Sequence, residues 1–285
     1  MKNFRVFDCF TFYNELDTLN VRFEELYDFV DYFILCESHL THRGKEKPLY
    51  FDENKHRFSK YNDKIVHLID TEMPKLDPTK VDDPWIRDTH QRNYLNNGLL
   101  KFDLKNNDQI ILSDLDEIPN VETLKKKLPV NWVYSLEQDF YYYNLHNKLK
   151  KKWRLSKVLN YETYVNKFNS TPQEVRVVLD YREILKFRLN RNVIKNGGWH
   201  FTSVKKPKDI FYKLSNFMHH LEFEESRLTL KDMEKMVSEK KILYDHSAKQ
   251  QANKYTGHQS LIKTDESYLP DYIIENKKKY KDWLD

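Results

Sequence analysis

Glycine is scarce, at five residues in 285. No G-x-x-x-x-G-K-[ST] or G-x-G-x-x-G run occurs, so a glycine-rich phosphate loop is excluded as the main nucleotide-binding device. Cysteine is scarcer: Cys9 and Cys36 both fall in expected strands near the start. They read as buried free thiols, and a disulfide would require those strands to be neighbours. The stretch from Met1 to Val6 enters strand-forming sequence at once, without an apolar leader, and no run of about 18 apolar residues follows. A cytoplasmic or otherwise soluble chain with no transmembrane segment is the expectation. Linkers rich in Pro, Gly and Ser, internal repeats and low-complexity tracts are missing too, which favours a single domain over 1–285. Charge of one sign is also missing. The net charge is +4, and the basic runs Lys125 to Lys127, Lys150 to Lys152 and Lys277 to Lys279 do not interleave with a nucleic-acid motif. They read first as solvated helix faces, with a patch for phosphate, acidic glycan or membrane surface as the alternative. A nucleic-acid partner is not expected.

Aromatic residues are abundant, with 19 Tyr, 17 Phe and 5 Trp. Although mean hydropathy is -0.83, a disordered chain would be poor in such residues, so a folded domain with an aromatic-rich core is expected. Arg5 to Phe10, Tyr32 to Cys36, Ile65 to Ile69, Gln109 to Ser113 and Trp132 to Leu136 have strand character. Between the first two, Leu16, Leu19, Phe23, Leu26 and Val30 recur at helical spacing, with Glu15, Arg22, Glu24 and Glu25 on the opposite, polar side. A longer helix is expected over Trp85 to Phe102 and a short one near Val121. In the second half, Tyr141 to Asn144 and Val175 to Asp180 suggest strands, and Lys208 to His220 and Leu230 to Lys240 suggest helices. This rhythm is that of an α/β fold with a doubly wound, mostly parallel sheet and helices on both faces. In such sheets ligands sit beyond the carboxyl ends of the strands. Three polar groups would meet there: the Thr11 to Glu15 turn, Glu37 with Ser38, and Asp114 to Glu117.

The most informative segment is Ile110-Ile111-Leu112-Ser113-Asp114-Leu115-Asp116. An apolar strand delivers two carboxylates at i and i+2, on one side of extended backbone. Adjacent carboxylates repel unless a cation joins them, and hard oxygen ligands suit Mg²⁺ or Mn²⁺. The competing reading is a polar turn with helix-capping acids.

Several blocks in this order resemble glycosyltransferase family 17. They are Phe10-Thr-Phe-Tyr-Asn-Glu-Leu-Asp17, Glu24-Glu-Leu, Val30-Asp-Tyr-Phe-Ile-Leu-Cys-Glu-Ser38 and Thr41-His-Arg-Gly-Lys-Glu-Lys-Pro-Leu-Tyr50. Then come Gln91-Arg-Asn93, Leu112-Ser-Asp-Leu-Asp-Glu-Ile-Pro119, Gly197-Gly-Trp-His-Phe201, Lys213-Leu-Ser-Asn-Phe217 and His219. The resemblance implies a GT-A-like fold, with a nucleotide-binding half over about 1–120 and an acceptor-side half over about 121–285. It also implies a nucleotide-sugar donor (UDP-N-acetylglucosamine by default), Mn²⁺ or Mg²⁺, a carbohydrate acceptor and inverting transfer. Asp116 is the first choice as metal ligand. Asp114 is the second, on the metal or the donor ribose, and His200 is a third donor beside a glycine pair that allows close backbone approach. Glu37 would accept hydrogen bonds from uracil or ribose, with a helix or turn cap as the alternative. Arg43, Lys45, Lys47 and Arg92 would reach the diphosphate, although an Asp88–Arg92 pair at i, i+4 alone would account for Arg92. Inverting transfer needs a general base. Glu137, Asp139, Asp180, Glu183, Asp209 and Glu222 are candidates, with Glu222 preferred and Asp139 next. Tyr141, Tyr142, Tyr143 and Trp199 would stack on sugar faces or pack in the core. A metal-dependent phosphoesterase and a non-catalytic sugar- or nucleotide-binding protein are the alternative functions.

Overall fold

A computed structural model describes residues 3–77, 83–178, 185–245, 254–255 and 259–284. Four strands form its parallel heart: β1 (Val6–Thr11), β2 (Tyr32–Ser38), β3 (Ile65–Asp70) and β4 (Gln109–Asp114), in the order β3-β2-β1-β4. Parallel neighbours need crossovers, and helices supply them. They are α1 (Leu16–Leu26), α2 (Tyr50–Asn54) with a 3₁₀ turn over Lys55–Tyr61, and then α3 (Pro84–Tyr94) and α4 (Asn96–Leu99). The strands are apolar along their length because both faces are covered. Val6, Phe10, Phe33, Leu35 and Ile111 pack with Leu19, Phe23 and Leu26 of α1. Phe7, Cys9, Ile34, Cys36, Ile110 and Leu112 pack on the other face with Leu95 and Leu99. Cys9 and Cys36 lie on adjacent strands but out of register, and both are buried free thiols.

The remainder departs from a mostly parallel sheet. It comprises β5 (Glu117–Pro119), β6 (Trp132–Tyr142), β7 (Asn144–Lys148), β8 (Lys157–Asn160), α5 (Tyr161–Phe168), α6 (Pro172–Val177) and β9 (Asn190–Thr202). These are followed by α7 (Pro207–Leu214), α8 (His220–Ser226), α9 (Leu230–Ser238), β10 (Ile262–Lys263), α10 (Asp271–Glu275) and α11 (Lys281–Leu284). The pairs β4–β8, β6–β8, β6–β7, β5–β9 and β7–β10 are antiparallel, and among the described residues only β6–β9 adds a parallel pair outside the heart. The sheet is therefore mixed. Short reversals cause this: at Tyr143, with φ 67°, the chain turns directly from β6 into β7, and an antiparallel neighbour needs no crossover.

Other expectations change with it. The expected strand from Val175 to Asp180 is helical as far as Val177, because Pro172 opens a helix at a position where its missing N–H costs nothing; Asp180 and Glu183 lie outside the described residues. Tyr141 to Asn144 is the end of β6, a turn and the start of β7. The expected helix over Trp85 to Phe102 divides in two, and that over Lys208 to His220 ends at Leu214, with His220 opening the next helix. Arg22, expected on the polar side of α1, is completely buried.

Candidate active site

Beyond the carboxyl ends of β1 and β4 lies a cavity of about 280 Å³. Its floor is the loop of the paired aspartates, and Arg22 holds that loop from behind. The guanidinium grips Asp8 at 2.6 and 2.8 Å and donates to Ser113 Oγ at 2.6 Å. It also reaches the carbonyls of Asp114, Leu115 and Glu117 at 2.9 to 3.0 Å. A rigid fork of donors satisfies a whole turn of backbone in this way.

The two aspartates then part company. Asp114 Oδ1 accepts from Arg92 at 2.6 Å and Oδ2 from Arg176 at 2.5 Å. Arg92 also binds Asp88 at 3.1 Å, so the helical pair exists but is half of a larger network. Burial works upward on the Asp114 carboxyl, yet the two guanidiniums hold it below its usual range. Its charge is already balanced. Glu117, fully buried, accepts from Arg176, Trp153 Nε1, Ser156 Oγ and the Asp114 N–H. Burial again works upward, and Arg176 overrides it, bringing Glu117 down to about 2. Glu117 is a structural anion here.

Asp116 faces other groups. Its Oδ1 lies 3.4 Å from His200 Nε2 and its Oδ2 lies 3.5 Å from Lys213 Nζ. Lys213 also pairs with Glu15 at 2.9 Å, and Lys205 stands 3.4 Å from Glu15. Despite burial, Lys213 and His200 keep Asp116 ionised below its usual range, and Lys205 and Lys213 do the same for Glu15.

His200 is set by strand pairing. It lies opposite Glu117 across β5–β9, stacked 4.5 Å from Phe140, with the Trp153 ring tilted against it at 4.6 Å. The glycine pair serves this contact rather than a ligand's approach. Gly198 has φ 132°, and a Cβ there would stand 2.0 Å from the Ile118 carbonyl. The next bond in register, Phe201 N–H to Asp116 O at 2.7 Å, places Asp116 beside His200.

Lys47 lies in the opposite wall, over the rings of Tyr13 and Tyr50. Burial lowers its ammonium to about 8, against the pull of Glu37 and Glu15, and among the described residues no carboxylate stands within ion-pair distance of it. Trp85, Phe217, His219 and Tyr244 also line the cavity.

The cavity thus brings together Asp114, Asp116, His200, Arg92 and Lys47, and leaves others outside. Glu37 is fully buried and accepts from the Phe51 and Asp52 N–H groups and from His67, so it caps α2. Arg43 is bound to Ser215 O and Glu224, and Lys45 is exposed on its loop. Asp139 is paired with Lys148 and Lys152, and Glu137 with Arg154; Asp209 is exposed on α7. Glu222 stands behind the wall, joined to His219, Tyr244 and Lys254. Tyr142 lines the cavity, while Tyr141 and Tyr143 are buried in core clusters and Trp199 Nε1 donates to the Tyr268 carbonyl. Arg176, Glu15, Lys213 and Trp85 were missed by sequence reasoning. Arg176 sat in an expected strand, and Glu15 was placed at the rim only as the end of the Thr11 to Glu15 turn, with no role of its own. Lys213 fell inside a motif block that named it without assigning it a role.

The donor set can be weighed against the implied cation. Asp116 and His200 offer an oxygen and a nitrogen 3.4 Å apart, a pair whose chemistry would suit an Mn²⁺-type ion. Asp114, neutralised by two arginines, does not suit that role. Among the described residues no three His, Cys, Asp or Glu side chains converge on one point.

These features define an α/β protein with a mixed sheet, whose candidate site lies beyond the carboxyl ends of its parallel strands. The family model described as Glycosyltransferase family 17 matches residues 1–285, and the chain belongs to that family. Curated relatives include the beta-1,4-mannosyl-glycoprotein 4-beta-N-acetylglucosaminyltransferases of Rattus norvegicus and Homo sapiens. Each is 35% identical over 119 residues, which is 40% of this chain and 22% of the relative. The aligned part spans about a fifth of those relatives' length. Among the described residues no helix is long and apolar enough to cross a membrane.

Proposed function

We propose that the chain transfers a sugar from a nucleotide diphosphate donor to a carbohydrate hydroxyl, with inversion at the anomeric carbon. N-acetylglucosamine carried on UDP is the default donor, since the relatives are named for that sugar. The observation that carries the proposal is the cavity itself: Asp116 and His200 on one wall and the unneutralised Lys47 on another, at the rim where α/β sheets bind ligands. Residues 1–120 supply the donor side, and the later residues close the site on the acceptor side as part of one catalytic unit with a GT-A-like core.

Lys47 and Lys213 draw the diphosphate into the cavity. Arg92 and Arg176 hold Asp114 in place, where it can accept from the donor ribose. Asp116 and His200 would hold an Mn²⁺ or Mg²⁺ ion, which when bound supplies charge neutralisation for the departing diphosphate. Trp153, over the His200 ring, keeps that imidazole dry and oriented.

The test is a screen of nucleotide sugars with Mn²⁺, read as released nucleoside diphosphate. Asp116→Ala is expected to lower turnover at least about 100-fold with unchanged circular dichroism. Full activity in that variant would remove Asp116 from the mechanism, and release of phosphate from simple phosphomonoesters would point to a phosphoesterase instead.

A further inference from the structure

The geometry points to His219, oriented by Glu222, as the group that takes the acceptor hydroxyl's proton, with Trp85 and Tyr244 beside it forming the acceptor subsite. This rests on the transferase reading above and adds the acceptor side of the same cavity.

Glu222 is badly placed to act directly. It does not line the cavity, and both its oxygens are engaged. Oε1 accepts from Lys254 at 3.0 Å, and Oε2 accepts from the Tyr244 hydroxyl at 3.0 Å and lies 2.8 Å from His219 Nδ1. His219 does line the cavity. The Tyr244 hydroxyl also stands 3.2 Å from Nδ1; with that hydroxyl donating to Glu222 and the carboxylate 2.8 Å away, the proton is assigned to Nδ1 and the lone pair to Nε2, and no hydrogen bond from the described residues reaches Nε2. A carboxylate that fixes the tautomer of an imidazole and then stabilises its protonated form is a recurrent arrangement for proton abstraction. The ring is held by Tyr244 at 4.6 Å, Phe217 at 5.3 Å and Trp85, edge-on, at 5.1 Å. Trp85 is 46% exposed although it lines the cavity, so it presents an uncovered apolar plane of the kind a sugar face stacks on.

In the step, the acceptor oxygen forms its bond to the anomeric carbon as the bond from that carbon to the diphosphate oxygen breaks. The electron pair leaves with the diphosphate. The hydroxyl proton passes to His219 Nε2, and the resulting imidazolium faces Glu222. Burial lowers the His219 pKa, Glu222 and Asp88 oppose that shift, and Lys254 adds to it, for a net value below the usual imidazole. His219 is then neutral at neutral pH, as a base must be, and transfer should rise with pH through its pKa and level off above it.

The experiment uses the full chain with UDP-N-acetylglucosamine, Mn²⁺ and a β-mannosyl oligosaccharide as acceptor, and measures UDP binding separately by calorimetry. His219→Gln is expected to lower kcat for transfer at least about 100-fold while UDP binds as before. Glu222→Gln, which removes the charge that props up the imidazole, is expected to shift the acidic limb to lower pH and to lower the plateau about tenfold. Trp85→Ala is expected to raise the acceptor KM more than it lowers kcat. Nitrogen-15 NMR of the unaltered chain should show the Nδ1–H tautomer for His219. Transfer by His219→Gln within threefold of the unaltered chain, or an Nε2–H tautomer, overturns the assignment and leaves the transferase reading standing. If His219→Gln does not fold, an acidic limb left unmoved in Glu222→Gln overturns it equally. No transfer by the unaltered chain from any donor overturns both readings.

Discussion

Arg22, Arg176 and Lys47 show how much of the site depends on where single charges end up. Arg176 joins Asp114 to Glu117 in the buried floor. Arg176→Met would leave Glu117 charged and unpaired in the interior, a loss expected to cost about 3–5 kcal/mol and to show as a lower thermal midpoint. Acid should act on the same contact. Glu117 is depressed to about 2 from an ordinary 4.5. The stability it contributes is therefore complete above about pH 4.5 and lost as pH falls towards 2. Acid titration followed by tryptophan fluorescence should find this loss, because Trp153 donates to Glu117. Lys47 makes a prediction of opposite sign. Its ammonium is lowered to about 8, so an arriving diphosphate should raise it, with an uptake of up to about half a proton at pH 8. Calorimetry of UDP binding in buffers of different ionisation enthalpy would measure that uptake, and Lys47→Met should abolish it. Lys47 was expected at the diphosphate from its motif block, but the roles of Arg22 and Arg176 were not readable from neighbours in sequence. Arg22 was assigned to the solvent side of α1 because periodicity cannot tell a solvated charge from one paired at 0% exposure.

At the scale of elements, β5 and β9 matter more than their lengths suggest. β5 has three residues, yet its pairing with β9 sets His200 against Glu117 and, through Phe201, against Asp116. Gly198 permits this approach. Gly198→Ala combines a strained φ with a 2.0 Å contact to a carbonyl and is expected to cost about 3 kcal/mol and to lower transfer by displacing His200. A thermal melt and an activity assay check both, and a variant as stable and active as the parent would show that the two strands can part without consequence. The parallel strands and α1 were legible in advance because apolar runs and a 3.6-residue period are local signals. β9 was not, since Asn190, Arg191, Asn192, Lys195 and Asn196 are exposed along much of it and it carries almost no apolar pattern.

For the whole molecule, the cavity draws Thr11, Asp116, Arg176, His200, Lys213 and Tyr244 from positions spread over more than 230 residues of chain. A fragment ending at Asn120 would lack Arg176, His200 and Lys213, and would expose the edge of β4 that β8 covers. Such a fragment is expected to aggregate, since an uncovered apolar edge strand pairs with other chains, and to show no UDP binding by calorimetry. A soluble fragment that binds UDP as the full chain does would establish the first half as an independent nucleotide-binding domain.

The succession of the strands and first helix of the parallel heart along the chain, and the delivery of Asp114 and Asp116 to the end of an apolar strand, were determined by the sequence alone. Each is encoded by residues within a few positions of one another. The tertiary structure decided which aspartate remains available to a ligand, because that depends on Arg92, Arg176, His200 and Lys213, each from a different element. It also decided that the sheet is mixed and that Glu222 stands one residue behind the cavity wall. Local pattern specifies what a segment prefers, while the partner of a buried charge is chosen by whatever the completed fold places within about 3 Å of it.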